Sequence, residues 1–408
     1  MTNHLKPNTN TFAPDSQKEQ NYNKVESLPS KSSLIVVGAG AFGGWTALYL
    51  LRSGFKVTLV DAWGAGNSRS SSGDETRVIR STYGANEFYF DLNVRALELW
   101  KENQQRWGKQ LFYNNGVIWF CYQEKNPIVD DSIPFTKKHK MEYEYLSITE
   151  IQKRFPAIQT NDLHHAWFDP FGGYLKARES MQAVKEAFVN EGGKFITAFA
   201  NAGKISSTKM DGIPLSNGET LKADAYIFAC GPWLGQLFPE VLKDKIVCTK
   251  QEAYYFGVPK EKAAIYDQLP AWIDLDGKDF YYGIPGNAHR GFKIGVDKRG
   301  EIFDPTNGER VVNPTVLADA RKFIEYRFPG LKNTPLLESR ACPYENSPDG
   351  NFIFGQYPEA DNLWFLGGGS GHGFKHGPAL GEMVARLFEK GGEINPLVAL
   401  DRVKPSLA

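Results

Sequence analysis

The sequence predicts an α/β protein that begins with a β-α-β unit of the kind that binds dinucleotides. The first observation is the apolar run 34–37, which favours a strand buried on both faces and leads directly into the glycine-rich segment 38–43. The second is the stretch that follows, which has the pattern of a helix to about Arg52 and is ended by Gly54. Residues 56–61 then form a second predicted strand, which ends in an acid.

The glycine-rich segment has the spacing GxGxxG. Gly38 allows the tight turn, Gly40 allows the backbone to approach a pyrophosphate, and Gly43 allows the helix to pack closely on the strand. The helix N-terminus offers free N–H groups to phosphates, and Asp61 is placed to accept hydrogen bonds from an adenosine ribose. The alternative is a tight strand-to-helix turn without a ligand. The predicted cofactor-binding residues of this unit are Gly38, Gly40, Ala41, Phe42, Gly43 and Asp61.

The rest of the chain mixes helices and strands and contains a second glycine-rich segment. Helices are predicted at 87–107, 176–191, 314–328 and 378–389, and strands at 116–122, 195–200, 224–230 and 363–366, with a hairpin at Asn217-Gly218. The last of these strands leads into the second glycine-rich segment, 367–373. An NAD domain usually continues as further β-α-β units, whereas two distant glycine-rich segments suggest one extended cofactor held at both ends. We therefore expect FAD rather than NAD.

Composition argues against several other classes of protein. Apolar residues make up 41% of the 408 residues, enough for a substantial core, and the formal net charge is zero, so no nucleic-acid partner is expected. No apolar run approaches the roughly 18–20 residues of a membrane helix, so no membrane partner is expected. None of the four cysteines lies in a CxxC pair, which argues against a metal site and a disulfide framework and favours a reducing, cytoplasmic location. The polar residues 1–32 are expected to be a disordered tail.

Five segments together resemble one known family. They are residues 38–43, DETRVIR at 74–80, GFKIG at 291–295, RAC at 340–342 and SGHGFK at 370–375. Over about residues 33–390 the chain resembles the monomeric sarcosine oxidase branch of the D-amino-acid-oxidase-like flavoproteins, which includes N-methyltryptophan, pipecolate and fructosyl-amino-acid oxidases. The resemblance implies an α/β fold (α+β overall), in which a Rossmann-type FAD-binding domain is interleaved with a substrate-binding domain built on a mainly antiparallel sheet. The implied ranges are 33–115, 175–245 and 340–392 for the FAD-binding domain, 116–174 and 246–339 for the substrate-binding domain, and 1–32 and 393–408 for the tails.

The resemblance also implies roles for individual side chains. Lys293 would activate oxygen, and Cys342 would carry FAD as a thioether at the 8α-methyl group. Arg80 and Lys375 would hold the substrate carboxylate. The other implied residues are Arg77 and His372 as catalytic groups, Tyr83, Tyr89, Tyr282 and Tyr344 as walls of the substrate pocket, and Arg77, Gly369, Gly371, His372, Gly373, Phe374 and Lys375 as cofactor-binding residues.

Each of these side chains also has a purely structural explanation. Lys293 would then be a solvated strand lysine, and the arginine pair three residues apart a charged helix face. Cys342 would be a buried inert thiol, and each tyrosine an ordinary core residue.

Three places depart from the family pattern. Asp297 stands where the family often has histidine, four residues after the lysine, and Glu345 stands where sarcosine oxidases have a small hydroxylic residue. The upstream histidines of the family are replaced by Ser70, Ser71 and Ser72. The two added acids lead to the hypothesis that the substrate carries a distal cationic or polar group. The alternative is that either acid pairs with a nearby arginine or points away from the pocket.

The expected function is FAD-dependent oxidation of a small or N-alkylated amino acid to an imine, by hydride transfer to flavin N5, with reoxidation by O2 giving H2O2. The expected partners are the amine substrate and O2, and the expected state is a monomer. The alternatives are an amine dehydrogenase that passes electrons to a quinone or carrier protein, a flavin-binding module without catalysis, and an NAD-dependent Rossmann enzyme.

Overall fold

The computed structural model describes residues 23–275, 280–287 and 290–403. Within these ranges the strands, in chain order, are β1 (Lys24–Val25), β2 (Ser33–Val37), β3 (Lys56–Asp61), β4 (Thr76–Ile79), β5 (Phe112–Tyr113), β6 (Val117–Cys121), β7 (Glu144–Leu146), β8 (His165–Asp169), β9 (Gly173–Lys176), β10 (Lys194–Thr197), β11 (Ile205–Ser206), β12 (Lys209–Met210), β13 (Ile213–Pro214), β14 (Thr220–Leu221), β15 (Ala225–Phe228), β16 (Val247–Phe256), β17 (Ala271–Asp274), β18 (Tyr281–Ile284), β19 (Phe292–Val296), β20 (Leu336–Asn346), β21 (Ile353–Tyr357), β22 (Ala360–Gly367) and β23 (Gly392–Glu393). The α-helices are α1 (Ala41–Arg52), α2 (Glu87–Trp107), α3 (Pro127–Asp130), α4 (Ile133–Lys138), α5 (Ile148–Arg154), α6 (Ala177–Asn190), α7 (Leu234–Leu237), α8 (Pro239–Leu242), α9 (Ala263–Asp267), α10 (Pro314–Arg327) and α11 (Gly377–Lys390).

The first β-α-β unit belongs to a six-stranded sheet with the order β10-β3-β2-β15-β22-β21. Its strands pair in parallel from β10 to β22, and β21 alone runs antiparallel to its neighbour. Strand β15 is buried along its whole length, as expected of a parallel strand covered on both faces. The sheet joins segments from the beginning, middle and end of the chain, and the predicted α/β fold with a Rossmann-type unit is confirmed.

A second, larger sheet has eight strands in the order β20-β16-β19-β18-β17-β6-β8-β7. Its pairs are antiparallel except for β17 and β6, which are parallel. Helix α10 covers one face of this sheet, where Ile324 and the following Phe328 are fully buried with Trp272 and Phe292. The predicted mainly antiparallel second sheet is therefore present.

Helices α1 and α11 cross closely over the six-stranded sheet. A Cβ atom on Gly381 would lie 2.7 Å from the Trp45 carbonyl carbon, so only glycine permits this approach. Trp45 also packs edge-on against Trp100 of α2, at 5.1 Å between ring centroids. The Trp100 indole N–H donates to the Lys375 carbonyl at 2.8 Å. This packing fixes the short turn Phe374–His376, which directly follows the second glycine-rich segment.

The ends of the described chain belong to the folded protein. Strand β1 pairs with β23, and Val25 is almost fully buried. Residues 23–32 and 393–403, which the sequence places in tails, therefore pack on the fold because their apolar side chains find partners there, and residues 1–22 and 404–408 lie outside the described residues. Strand β20 runs across the expected domain boundary at residue 340. The domain ranges themselves remain a proposal.

No helix of the described residues combines the length and the apolar character that crossing a membrane requires.

Candidate functional site

The first glycine-rich segment makes the predicted strand-to-helix turn. Gly38 has φ +106°, and a Cβ atom there would lie 2.3 Å from the Ala229 carbonyl oxygen at the end of β15. A Cβ atom on Gly43 would lie 1.9 Å from the Gly38 carbonyl oxygen. A larger residue at either position would clash with backbone, which explains why the chain needs glycine at both.

Asp61, at the end of β3, is held by backbone amides. Its carboxylate accepts from the N–H groups of Ala39 at 2.8 Å, Trp63 at 2.9 Å and Gly64 at 2.7 Å. Burial raises the pKa of Asp61, and the three amides act against that rise. Because each carboxylate oxygen has two lone pairs, Asp61 keeps acceptor capacity for a ribose hydroxyl.

A cavity of about 360 Å³ lies between the two glycine-rich segments. Asp61 and Trp63 border it on the side of β3, and Arg77 and Tyr344 border it on the side of β4 and β20. Predicted cofactor residues that line it are Gly38, Gly40, Ala41, Phe42, Asp61, Arg77, Gly369, Gly371, Gly373 and Phe374. The narrow glycine turn, the helix N-terminus and the free acceptor capacity of Asp61 all fit a dinucleotide such as FAD.

A buried cluster of charges lies beside this cavity. Lys293, in the middle of β19, is 1% exposed, and its ammonium group donates to the Asp74 carboxylate and, at 2.9 Å, to the Thr76 carbonyl. Arg77 donates to the same carboxylate at 2.6 Å. The Tyr255 hydroxyl donates to its other oxygen, also at 2.6 Å. Lys293 is thus a buried, paired lysine rather than a solvated one.

The protonation of this cluster follows from its charges. Burial opposes ionisation of Asp74, but the positive charges of Lys293 and Arg77 outweigh it and hold the pKa of Asp74 well below its usual range. Burial lowers the pKa of Lys293, and the charge of Arg77 adds to this, while Asp74 acts against both. Asp74 therefore favours the protonated form of Lys293.

Cys342, on β20, is next to the same arginine. An Arg77 Nη2 atom lies 3.6 Å from the Cys342 sulfur, which is a free thiol. Burial raises the pKa of the Cys342 thiol, and Arg77 is the main influence in the other direction. The arginine is placed to stabilise the thiolate that a thioether linkage needs.

A smaller cavity of about 70 Å³ shares Arg77, Gly371 and Phe374 with the larger one. Its charged lining residues include Arg80, Lys375 and Asp297, and its other lining residues include Tyr282 and His372. Burial lowers the pKa of Lys375 well below its usual value, and the charge of Arg80 lowers it further. A bound carboxylate would stabilise both cations.

Tyr83 and Tyr89 differ from their expected place, because neither is among the lining residues of these two cavities. The Tyr83 hydroxyl is held by ring nitrogens of His376 at 2.7 Å and His372 at 3.2 Å, and Tyr89 stacks on Tyr83. The Tyr83 ring instead packs against Arg80: the Arg80 guanidinium carbon is 4.5 Å from its centroid. The Tyr89 hydroxyl accepts from the Phe352 N–H at 2.9 Å, so both hydroxyls have partners within the fold.

Other expected site residues lie one layer behind the cavity walls. Gly43, Lys293 and Cys342 are absent from the lining of both cavities. Gly43 packs against Gly38 and Cys342 lies next to Arg77, both of which line the larger cavity, whereas Lys293 contacts Asp74, which lines neither. His372 lines the smaller cavity, and burial lowers its pKa to about 3, so it is neutral near pH 7.

The structure gives Asp74 a role that the sequence did not indicate, and it places Asp297 and Glu345 in different cavities. Asp74 belongs to the DETRVIR motif, but no pattern in the sequence pairs it with Lys293, which is 219 positions away. Glu345 lines the larger cavity, not the smaller one. Asp297 lines the smaller cavity and also lies 3.5 Å from an Arg299 nitrogen. Of these three acids, Asp297 alone lines the smaller cavity.

Known proteins resemble this chain along most of its length. The family described as FAD dependent oxidoreductase matches residues 33–387. Monomeric sarcosine oxidase of Arthrobacter sp. (strain TE1826) is 27% identical over 384 residues, covering 93% of this chain and 98% of that protein. N-methyl-L-tryptophan oxidase of Yersinia pestis (strain Pestoides F) is 27% identical over 359 residues, covering 87% of this chain and 94% of that protein. The crystal structure of L-proline dehydrogenase from P. horikoshii superposes with a TM-score of 0.78 at 23% identity, over 89% of this chain and 94% of that chain, a likeness of fold. The resemblance inferred from the motifs is confirmed.

Proposed function

The chain belongs to the FAD dependent oxidoreductase family, and on that premise we propose that it oxidises a small or N-alkylated amino acid to an imine, with O2 as the electron acceptor and H2O2 as the second product. The family match confirms the prediction of an FAD-dependent oxidoreductase. The relatives whose names specify sarcosine and N-methyl-L-tryptophan support an amine as the electron donor. A cytoplasmic monomer is part of the proposal.

The observation that carries the proposal is the junction of the two cavities. They share Arg77, Gly371 and Phe374, so a small molecule in the 70 Å³ cavity would lie against one end of a cofactor in the larger cavity. The smaller cavity is lined by Arg80 and Lys375, and a bound carboxylate would favour the charged form of the lysine. Its volume suits a substrate of a few non-hydrogen atoms, or the amino acid end of a longer substrate.

Bound FAD supplies the hydride-accepting chemistry; the side chains supply binding, orientation and charge. We assign the substrate carboxylate to Arg80 and Lys375. His372 is neutral because of its burial, so it neither competes for the carboxylate nor repels an ammonium group. Lys293 supplies a fixed positive charge near the site of oxygen reduction, where it stabilises developing negative charge. Cys342, with Arg77 beside it, is the proposed attachment point for FAD.

Asp297 favours a more specific substrate within this class. Its carboxyl shares the smaller cavity with Arg80 and Lys375, so a substrate that carries both a carboxylate and a cationic group would match the charges of the site. Replacing Asp297 with Asn should then reduce turnover of lysine derivatives more than turnover of sarcosine. Best turnover on sarcosine by the unaltered protein would contradict this specificity.

The alternative is an amine dehydrogenase that delivers electrons to a quinone or carrier protein. The structural likeness to L-proline dehydrogenase concerns the fold and does not decide between the two. Lys293 favours the oxidase, because Asp74 holds its ammonium group in place.

The experiment has two steps. The purified protein is mixed without oxygen with glycine, sarcosine, proline, pipecolate, N-methyltryptophan, lysine derivatives and fructosyl amino acids, and loss of flavin absorbance identifies substrates. Air is then admitted and H2O2 is measured. Rapid recovery of colour with stoichiometric H2O2 supports the oxidase, whereas reduced flavin that is stable in air supports the dehydrogenase. Absence of bleaching by every amine would contradict the proposed function.

Acid precipitation tests the FAD linkage. A yellow pellet from the unaltered protein and a yellow supernatant from the Cys342→Ser variant would support attachment through Cys342. A yellow supernatant from both would rule that linkage out.

A further inference from the structure

Glu345 places a carboxyl group in the wall of the larger cavity. It follows Tyr344 on β20 and points to the second glycine-rich segment: a Cβ atom on Gly369 would lie 3.1 Å from Glu345 Oε1, and one on Gly367 would lie 3.2 Å from Oε2. The amides of Gly368 and Gly369 donate to the carboxyl group. The glycines thus let this side chain reach the cavity and hold it there.

One oxygen of this carboxyl group has no protein partner. Glu345 Oε2 is inaccessible to solvent and makes no hydrogen bond within the described part of the chain. A buried polar atom of this kind is unfavourable unless a ligand group satisfies it. Glu345 itself lines the cavity, so a cofactor there would contact its side chain, and a rotation of the carboxyl group would present this oxygen to the cofactor.

The surroundings of Glu345 favour the neutral acid. The titratable groups that face it are the thiols of Cys230, after β15, and Cys248, on β16, and neither is a cation. Leu234 and Ile246 pack against the same glycine segment. Burial raises the pKa of Glu345 to about 7, and the two glycine amides act against that rise.

The position of Glu345 selects one part of FAD. A Cβ atom built on Gly231, just after β15, would lie 3.8 Å from the Glu345 carboxyl group. Strand β15 pairs with β2, which leads into Gly38, so this side of the carboxyl group is the side of the first glycine-rich segment. On the other side it adjoins Tyr344, which borders the cavity near Arg77. In FAD, a chain of hydroxyl groups joins the diphosphate to the flavin ring, so these hydroxyls would lie beside Glu345.

We propose that Glu345 binds the hydroxyl chain of FAD and that its protonated form holds the cofactor tightly while its ionised form repels it. The inference rests on the FAD dependence that the proposed function also requires. The protonated acid donates a hydrogen bond to a cofactor hydroxyl. The ionised carboxylate would instead add a third negative charge close to the two negative charges of the diphosphate, in surroundings of low dielectric constant. Affinity for FAD therefore falls as pH rises through the pKa of Glu345.

The test measures reversible FAD binding in a Cys342→Ser background, which removes the proposed covalent link. Flavin fluorescence gives the Kd between pH 6 and pH 9 for this parent and for the parent with Glu345→Gln. The parent Kd should rise about tenfold per pH unit above pH 7. Gln imitates the neutral acid, so its Kd should stay flat and be lower than that of the parent at pH 9. Glu338→Gln, the same change outside the cavity on β20, should keep the parent slope.

The outcomes separate the inference from its premise. Equal slopes with Glu and Gln, or loss of FAD binding at all pH values in a Gln variant with unaltered circular dichroism, would overturn the role of Glu345. Failure of the parent to bind FAD at any pH would overturn the FAD premise, and the proposed function with it. If the Gln variant does not fold, proton uptake is measured instead, by calorimetry of FAD binding to the parent at pH 8 in buffers of different ionisation enthalpy. Nearly one proton should be taken up per FAD bound. No proton uptake would refute the inference.

Discussion

Replacing Asp74 with Asn should destabilise the protein because the change leaves buried cations without their counter-ion. Asp74 is 6% exposed, and its carboxylate accepts from Lys293, Arg77 and Tyr255. Breaking a buried ion pair by removing one partner typically costs about 3–5 kcal/mol. The loss should be visible as a fall in the midpoint of denaturation with FAD held in excess.

The cost can also be derived from the proton of Lys293. Without Asp74, burial and Arg77 would drive Lys293 to its neutral form. Deprotonating a lysine of ordinary pKa, about 10.4, costs about 1.4 kcal/mol for each pH unit below that value, or about 3 kcal/mol at pH 8. The cost estimated from the lysine proton therefore agrees with the cost of breaking the buried ion pair, about 3–5 kcal/mol.

This second estimate predicts a pH signature with a definite sign. In the Asn variant, Lys293 is neutral when folded and charged when unfolded, so the unfolded state binds more protons and stability increases with pH. The stability difference between the unaltered protein and the variant should therefore shrink by about 1.4 kcal/mol per pH unit between pH 7 and pH 9. Urea denaturation at both pH values measures it.

Asp319→Asn is the matched control. Its partner Lys322 lies at 3.1 Å, but the two side chains are 54% and 79% exposed. Exposed pairs contribute about 0–1 kcal/mol, so this variant should stay close to the unaltered protein at both pH values. An Asp74→Asn loss as small as that of the control, or one that does not change with pH, would refute the reasoning about the buried cluster.

Three further predictions concern the site. Lys293→Met should slow reoxidation of reduced flavin by O2 by about 10²–10³-fold and leave reduction by the amine nearly unchanged, as measured by stopped-flow absorbance in each half-reaction; equal slowing of both would contradict its assignment to oxygen. Arg80→Met should raise KM for an amino acid about 10–100-fold, and Lys375→Met should do the same, but neither should affect an amine without a carboxylate; a loss on both substrates would argue against carboxylate binding. Gly38→Ala should destabilise the protein far more than Gly54→Ala in thermal melts, because both have positive φ but only Gly38 would clash with backbone; similar losses would contradict the steric argument.

The local elements were readable from the sequence because each depends on neighbours in the chain. The helix at 41–52 has its glycine turn before it and its stop at Gly54, and the 87–107 helix has apolar residues at the helical period; both have the expected bounds. The fold class followed from the order of these elements. The sequence also located the glycines, the acid at Asp61 and the motif residues, since each is defined by its spacing in one segment.

Tertiary structure alone decided which of these residues act together. Asp74, just before β4, meets Lys293 of β19 across 219 positions, and because β4 and β19 belong to different sheets, no local pattern records such a meeting. The same holds for the two acids that depart from the family pattern: the sequence placed Asp297 and Glu345 near the pocket, and the structure places one in the smaller cavity and the other in the larger. Burial then set their chemistry, because a carboxyl group's charge depends on the atoms packed around it, and those atoms come from all parts of the chain.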